Sequence, residues 1–400
     1  MTTVTVVDSI MGSGKTSLAI QHINDSPLEK KFVYITPYLD EVRRIKSSVT
    51  NRAFAEPTNA NAEGRKLRSL KELIVAGKDI VATHSLFQTA DDELIELLTG
   101  AGYTLILDEV MDVIEKAKIN NQDIKALLEL KYIEVVDNKV RWVYDDYTNG
   151  RFYDIKLLAN AGNLFYHRGK FLIWSFPPQV FQTFDEVYVM TYLFHGQIQR
   201  YYYDLHAMGF EYKAVNHNGQ GYELTEYSQE AEERPEVFAL MDLYEGNLND
   251  FGNQYYALSS TWLRRASDET LGVVQKNIYN YFRNVAKASG KEIIWTTIKD
   301  AQVDLKGKGY TKGFIPCNMR ATNDYADRSA LAYVFNRFLN PIEKSFFEDH
   351  GVKVDEELLA VSDLLQWIWR SRIRNGKSIS LYLPSSRMRR LLKSWKDYEI

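Results

Sequence analysis

The sequence is poor in the residues that build disulfides, metal clusters and membrane spans. Its single cysteine, Cys317, excludes an internal disulfide and a cysteine-ligated metal cluster, which agrees with a reducing compartment. The seven histidines show no metal-ligand spacing, so no zinc site is predicted. No apolar run approaches the roughly 18 residues of a membrane-spanning helix, and a strand pattern, not a signal sequence, begins near Met1. We therefore expect a cytoplasmic protein with no membrane partner.

Length and charge set two further expectations. The chain has 400 residues, of which 45% are hydrophobic, and this length favours two domains or more. The net charge is −4, but residues 366–400 contain nine Lys or Arg against two acids. Such a basic segment is most often a solvated face, and contact with phosphates is the alternative, because that contact depends on local charge.

Residues 9–16, Ser-Ile-Met-Gly-Ser-Gly-Lys-Thr, follow an apolar run and precede a helix-compatible segment. This pattern indicates a phosphate-binding loop, in which glycines let backbone N–H groups surround phosphates. Lys15 is expected to reach the β and γ phosphates, and the Thr16 hydroxyl to ligate Mg²⁺. A glycine-rich turn with a chance lysine is the alternative, since Ser9 stands where the usual pattern has glycine. The predicted nucleotide-binding residues are Met11, Gly12, Ser13, Gly14, Lys15, Thr16 and Ser17.

A second motif supports the first. Residues 103–109 form an apolar strand pattern that ends in two adjacent carboxylates, Asp108 and Glu109. Asp108 is predicted to hold magnesium, directly or through water, and Glu109 to polarise the attacking water as general base. Alone, such acids are commonly the cap of a following helix. Together with Gly-Lys-Thr they indicate nucleotide hydrolysis, while the kinase motifs His-Arg-Asp and Asp-Phe-Gly are missing.

Strand-like runs alternate with helix-like runs along the first 110 residues, which predicts an α/β fold with a parallel sheet. Ligands of such sheets bind at the carboxyl ends of the strands, where both motifs fall. Residues 132–147 indicate a hairpin inserted after the acidic motif. After residue 200 the α/β pattern restarts, with a helix predicted over 330–338, and no second phosphate loop occurs.

An arginine-rich segment, residues 366–374, follows an apolar helix-like run. On a helix, Arg370 and Arg374 share one face while Arg372 points elsewhere, so this pair is predicted to face the triphosphate. An arginine there neutralises the charge on the transferred phosphoryl group and links hydrolysis to closure of a cleft.

These motifs resemble those of the superfamily 2 helicases, the class that contains the DEAD/DEAH-box enzymes, and are most similar to helicase-type proteins of bacteriophages. The matching segments, for motifs I, Ia, Ic, II, III, V and VI in turn, are residues 11–16, 36–44, 83–85, 108–109, 191–192, 314–323 and 366–374. Two segments depart from the family pattern. The acidic motif reads Asp-Glu-Val-Met, and Trp369 stands where the family has glycine before its first arginine. Which of Arg370, Arg372 and Arg374 acts as the finger is left open.

The resemblance implies two tandem RecA-like domains, residues 1–200 and 201–400, with ATP and Mg²⁺ in the cleft between them. It also implies that Thr36, Thr83, Thr296 and Thr322 donate to nucleic-acid phosphates, although a hydroxyl at a strand end is often a cap. The partner is single-stranded or forked DNA, with RNA possible, in phage replication or recombination within the host cytoplasm. A terminase-type packaging ATPase and a nucleotide-switched loader are the alternatives.

Overall fold

Three β-sheets organise the computed structural model, which describes residues 2–317 and 324–400. The strands in these ranges are β1 (Thr3–Asp8), β2 (Lys31–Thr36), β3 (Ile80–Thr83), β4 (Tyr103–Asp108), β5 (Ile114–Lys116), β6 (Ile133–Val136), β7 (Lys139–Trp142), β8 (Leu164–His167), β9 (Phe171–Ser175), β10 (Glu186–Thr191), β11 (Glu211–His217), β12 (Tyr222–Glu226), β13 (Met241–Leu243), β14 (Ile293–Thr296), β15 (Ala330–Tyr333) and β16 (Ile379–Tyr382).

The α-helices pack on the faces and edges of these sheets. In the same described ranges they are α1 (Lys15–Asp25), α2 (Leu39–Ser48), α3 (Lys66–Val75), α4 (His84–Phe87), α5 (Asp92–Leu98), α6 (Asn121–Glu129), α7 (Tyr153–Asn160), α8 (Gln179–Gln182), α9 (Ile198–Leu205), α10 (Arg234–Ala239), α11 (Ser260–Arg265), α12 (Asp268–Asn280), α13 (Gln302–Leu305), α14 (Pro341–Asp349), α15 (Glu356–Ile368) and α16 (Ser386–Lys396). None of the described helices is long and apolar enough to cross a bilayer.

The first sheet has the strand order β12-β11-β1-β10-β4-β2-β3. All its neighbouring strands are parallel except the β11–β12 pair, which is antiparallel. Alternate residues of one strand enter two different cores: Val33 and Ile35 pack on one face of the sheet, and Phe32 and Tyr34 on the other. The near-continuous apolar strands of the sequence are therefore explained by a sheet that is buried on both faces.

The second sheet has the order β13-β16-β15-β14 and is entirely parallel. The helix predicted over residues 330–338 is wrong, because Ala330–Tyr333 is the buried strand β15. A short run that is apolar at every position fits a buried strand as well as a buried helix, so its periodicity does not distinguish the two. With one mostly parallel and one entirely parallel sheet, each packed with helices, the predicted α/β fold class is confirmed.

A third sheet, β5-β9-β8-β7-β6, is antiparallel throughout and lies between β4 and β10 in the chain. It contains the predicted hairpin as strands β6 and β7, whose turn residues Asp137 and Asn138 have positive φ angles. The hairpin is one part of a larger unit, because α6 and α7 share a separate hydrophobic core with this sheet.

The strand pairing does not agree with the predicted domain boundary at residue 200. Strands β11 and β12 follow that residue, yet they extend the first sheet beside β1. Helix α14 also reaches back, since Phe346 and Phe347 pack into the core of the first sheet and Arg168 donates two hydrogen bonds of 2.6 Å to Asp349. We propose that the domain boundary lies between residues 226 and 241.

The basic C-terminal segment is folded into the second domain. Helix α16 packs against α10 and α15, and buried Arg387 lies over the ring of Phe338 while donating to the carbonyl of Arg337. Lys393 pairs with Glu245 at 2.7 Å. The basic segment is therefore not a loose tail, because hydrophobic residues of α16 such as Trp395 anchor it in the core.

Candidate active site

A cleft of about 340 Å³ opens where the phosphate loop of the first domain faces the end of α15 in the second. Its volume falls within the range of small-molecule sites. Predicted residues that line it are Met11, Gly12, Gly14, Lys15, Thr16, Ser17, Asp108, Glu109, Arg370 and Arg374. The cleft is also lined by Glu41, Arg44, Tyr222, Gln366 and Trp369. The sequence did not predict these residues individually, although all except Tyr222 lie in the segments matched to motifs Ia and VI. The fold thus brings together nearly all of the predicted nucleotide residues, while Ser13 does not line the cleft.

The phosphate loop connects β1 to α1, as predicted. Gly12 and Gly14 have φ angles of 86° and 98°, which side chains rarely adopt, so glycine is required at both positions. Gly14 is the N-cap of α1 and offers no side chain to the first helical amides. These amides and the positive end of the helix dipole therefore remain for an anion.

Lys15 folds back onto its own loop. Its Nζ donates to the carbonyls of Ser9, at 2.5 Å, and Ile10, at 3.0 Å. Burial lowers the pKa of Lys15, and the nearby carboxylates, Glu109 first, oppose that shift. The ammonium group therefore lies between two carbonyls and the acidic pair, in the position from which it can transfer to a phosphate.

Asp108 ends β4, and β10 separates this strand from β1 in the sheet. The Tyr34 hydroxyl donates to its Oδ2 at 3.1 Å. Burial raises the pKa of Asp108 to about 7, and neighbouring Glu109 adds to the shift. A carboxylate that is costly to keep charged without a counterion is well suited to a divalent cation.

Glu109 has a φ angle of 70°, an unusual conformation for a residue other than glycine. Its N–H donates to the carbonyl of Met190 at 2.9 Å, which fixes the turn after β4. Within the described part of the chain, its buried Oε2 has no hydrogen-bond partner. An unsatisfied carboxylate oxygen in a cleft is the feature expected of a group that receives a proton from water.

The arginines reach the cleft by a different geometry from the predicted one. Helix α15 ends at Ile368 and a 3₁₀ turn covers Arg372–Asn375, so Arg370 and Arg374 do not share the face of one α-helix. Both nevertheless line the cleft, whereas Arg372 donates to the carbonyl of Ser378. The turn after α15 rather than helical periodicity therefore places this pair.

Arg374 lies across the cleft from α2. Burial lowers the pKa of Arg374, and the nearby Arg44 lowers it further while Glu41 opposes the shift. Arg44 is itself paired with Glu41 at 3.2 Å, so that this side of the cleft holds two guanidinium groups and one carboxylate. An anion bound beside Arg374 would be stabilised by the excess positive charge there.

The residues present fit ATP with Mg²⁺. Magnesium prefers oxygen ligands and commonly uses one or two protein groups plus phosphates and waters. Thr16 and Asp108 both line the cleft and supply a hydroxyl and a carboxylate. This donor set is the one expected for a cation held together with phosphates.

The threonines predicted to contact nucleic acid lie at strand ends. Thr36 and Thr83 are register partners at the carboxyl ends of β2 and β3, and Thr296 ends β14. The hydroxyls of Thr36 and Thr296 are fully buried, whereas Thr83 is half-buried and bonds Ser85 at 3.2 Å. Thr322 lies outside the described residues. Their phosphate contacts stay predictions, and those of the two buried residues require the surface to open.

A buried polar network behind the cleft was missed by sequence reasoning. The carboxylate of Asp8, the last residue of β1, accepts the N–H groups of Leu193 and Phe194 at 2.8 Å. Next to them, the Tyr192 hydroxyl accepts from the Trp395 indole at 2.7 Å. The loop after β10 thus connects the base of the phosphate loop to α16 of the second domain.

Two kinds of similar protein were found, sequence relatives and solved structures of similar fold. A model of the YonV middle domain matches residues 114–174, which coincide with the third sheet, and a model of the YonV C-terminal Rossmann-like domain matches residues 235–396. The SPβ prophage-derived uncharacterized protein YonV of Bacillus subtilis strain 168 is 42% identical over 412 residues, covering 99% of each chain.

Solved structures give the second group. An XPD helicase structure covers 98% of this chain and 94% of its own at 12% identity, with a TM-score of 0.50. The Xpd4 structure from S. tokodaii covers 100% and 94% at 13% identity, with a TM-score of 0.49. The XPD similarity is one of fold, and it confirms the predicted architecture of two tandem RecA-like domains.

Proposed function

The chain belongs to the YonV family, and we propose that it is an ATP-dependent translocase of the helicase type that acts on DNA. One observation carries the proposal. Lys15, Asp108 and Glu109 of the first domain and Arg370 and Arg374 of the second line the same cleft. Acidic and cationic groups from two RecA-like domains are what hydrolysis coupled to domain closure requires.

Each residue has a defined task in this proposal. Lys15 exchanges the carbonyls of Ser9 and Ile10 for the β and γ phosphates. Glu109 orients the attacking water and accepts its proton through Oε2. Arg370 and Arg374 approach the γ phosphate when the cleft closes and neutralise the charge that develops there. Bound Mg²⁺, held by Thr16 and Asp108, would add positive charge at the phosphates.

In this proposal, the hydrogen bonds behind the cleft couple ATP hydrolysis to movement of the second domain. Asp8 holds the loop after β10, and Tyr192 in that loop bonds Trp395 of α16. A change in the phosphate loop can therefore reach the second domain through these bonds. Repeated closing and opening of the cleft would shift the two domains along a strand that contacts Thr36 and Thr83 on one side and Thr296 on the other.

The prophage origin of the relative favours a role in phage DNA replication or recombination. The second domain has a parallel sheet and presents arginines to the cleft from the turn after α15. This favours a helicase-type motor over a terminase-type motor, whose second domain would be a nuclease. The carboxylate of Glu109 favours turnover over a non-hydrolysing loader.

ATP hydrolysis with and without single-stranded DNA tests the proposal, using the wild type, Lys15→Ala and Glu109→Gln. We expect DNA-stimulated hydrolysis that both substitutions reduce by at least about 100-fold, since removal of one catalytic group commonly costs 10²–10⁴-fold. Arg372→Ala is the matched control, because this arginine lies in the same turn but does not line the cleft. Turnover that is absent, or that neither DNA nor RNA stimulates, contradicts the motor and favours the loader.

A further inference from the structure

One aromatic ring lies directly on the phosphate loop. Tyr222 of β12 covers Gly14 so closely that a Cβ atom at Gly14 would lie 2.7 Å from Cδ1 and 2.9 Å from Cζ of the ring. Tyr222 also lines the cleft. The contact joins residues that are far apart in the sequence, and no motif predicts it.

Tyr222 is fixed to the helix that follows the loop. The side chain of Gln21 on α1 donates from Nε2 to the Tyr222 carbonyl and accepts from its N–H through Oε1, both at 2.9 Å. The ring of His217 packs edge-on against Tyr222 at 4.8 Å between centroids. Gly221 leaves room for this pairing, since a Cβ there would lie 2.8 Å from Gln21 Oε1. The backbone of Tyr222 is thus fixed to α1, and its ring lies between His217 and the start of that helix.

The chemistry of the cleft orients a bound nucleotide. Asp108, Glu109 and Arg370 define the end where the γ phosphate belongs. The other aromatic residue that lines the cleft in the described chain is Trp369, which lies beside Arg370 and has its Nε1 3.9 Å from an added Cβ at Gly12. Tyr222 instead lies over Gly14, at the side of α1. A triphosphate cradled by residues 12–16 would therefore direct its nucleoside towards Tyr222.

We propose that Tyr222 stacks on the base of the bound nucleotide and that Gln21 holds it in place for that purpose. The inference rests on the proposed function, because it assigns a further residue to the same site. Stacking uses the face of the ring, and it needs no hydroxyl group. Removing the ring should weaken the binding of a nucleotide without weakening the binding of a phosphate chain that has no base.

Calorimetric titration with ADP and with inorganic tripolyphosphate, both in Mg²⁺, separates these contributions. For Tyr222→Ala we expect a loss of ADP affinity of about 5- to 150-fold, the range found when base stacking is removed. Tripolyphosphate affinity should change less than about twofold. Tyr222→Phe should retain ADP affinity, whereas Tyr222→Leu, which has apolar bulk but no ring, should lose it. The Leu variant serves if the Ala variant does not fold.

Two outcomes overturn the stacking role. If Tyr222→Ala and Tyr222→Leu weaken both ligands equally, the ring only supports the loop. If ADP binds them as tightly as the wild type, or more tightly, the ring does not hold the base. Failure of the nucleotide site itself gives a different result, because wild-type protein would then bind neither ligand, or Lys15→Ala would bind both normally.

Discussion

The contact between Gly14 and Tyr222 predicts a large and separable cost for Gly14→Ala. A φ angle of 98° is unfavourable for any residue with a Cβ, by about 1–3 kcal/mol. The added methyl group would also overlap the Tyr222 ring, and overpacking costs about 1–3 kcal/mol. We therefore expect a total of about 2–6 kcal/mol in the free energy of unfolding, of which removal of the ring should relieve roughly half.

Gly100→Ala is the matched control for backbone strain. Gly100 also has a positive φ angle, of 72°, but an added Cβ there meets nothing within 4 Å. Its expected cost is the strain alone, about 1–3 kcal/mol.

Urea denaturation followed by circular dichroism gives the free energies for Gly14→Ala, Tyr222→Ala, the double variant and Gly100→Ala. We expect the two substitutions at the contact to be non-additive by about 1–3 kcal/mol, with the double variant less destabilised than the sum of the singles. Additivity, together with equal costs for Gly14→Ala and Gly100→Ala, would show that the ring does not lie on the loop and refute the geometry on which the stacking role depends.

Three further predictions follow from other contacts. Burial raises the pKa of Asp8 from 3.8 to about 7, so the unfolded chain loses this proton at lower pH than the folded protein, and the contribution of Asp8 to stability declines as pH rises from about 4 to about 7. In Asp8→Asn, the urea midpoint should therefore fall less between about pH 4 and about pH 7 than it does in the wild type. An equal fall in the two proteins would contradict the raised pKa of Asp8. Trp395→Phe removes the indole donor to Tyr192 and should lower the free energy of unfolding by about 1–3 kcal/mol; Tyr192→Phe in the Trp395→Phe background should then cost less than it does alone, as a double-mutant cycle would reveal. Shortening the hairpin turn at residues 137–138 should leave ATP hydrolysis intact and reduce strand separation in a forked-DNA assay if the hairpin is the wedge, an idea that undiminished unwinding would eliminate.

Local sequence predicted the first half of the cleft well. Residues 9–16 and Asp108 with Glu109 each follow an apolar run, and the parallel order of β1, β10 and β4 brings both motifs to one edge of the sheet. These motifs are readable because their residue types and spacing are required by the chemistry. The residues next to each motif in the sequence are sufficient to predict that it follows a strand.

Features that depend on distant contacts were not predictable in the same way. The pairing of Arg370 with Arg374 was inferred from helical periodicity, but α15 ends at Ile368 and the turn that follows places both side chains. Tyr222 is one of 26 tyrosines, and its role depends on β11 and β12 joining the first sheet beside β1. Pattern and spacing carry no information on such a long-range contact.

Most of the basic residues near the C-terminus bond other groups of the protein, which limits the positions at which they can bind a phosphate. Arg387 and Arg389 donate to carbonyls of their own domain, and Arg390 and Lys393 pair with glutamates. These four basic residues therefore bond groups around α16 and do not form a surface of unpaired positive charge. Within the same segment, the residues that line the cleft are Gln366, Trp369, Arg370 and Arg374. The basic segment thus places Arg370 and Arg374 in the cleft. Four other cations, Arg387, Arg389, Arg390 and Lys393, bond groups around the helix whose Trp395 donates to Tyr192, which supports the proposed coupling of the domains.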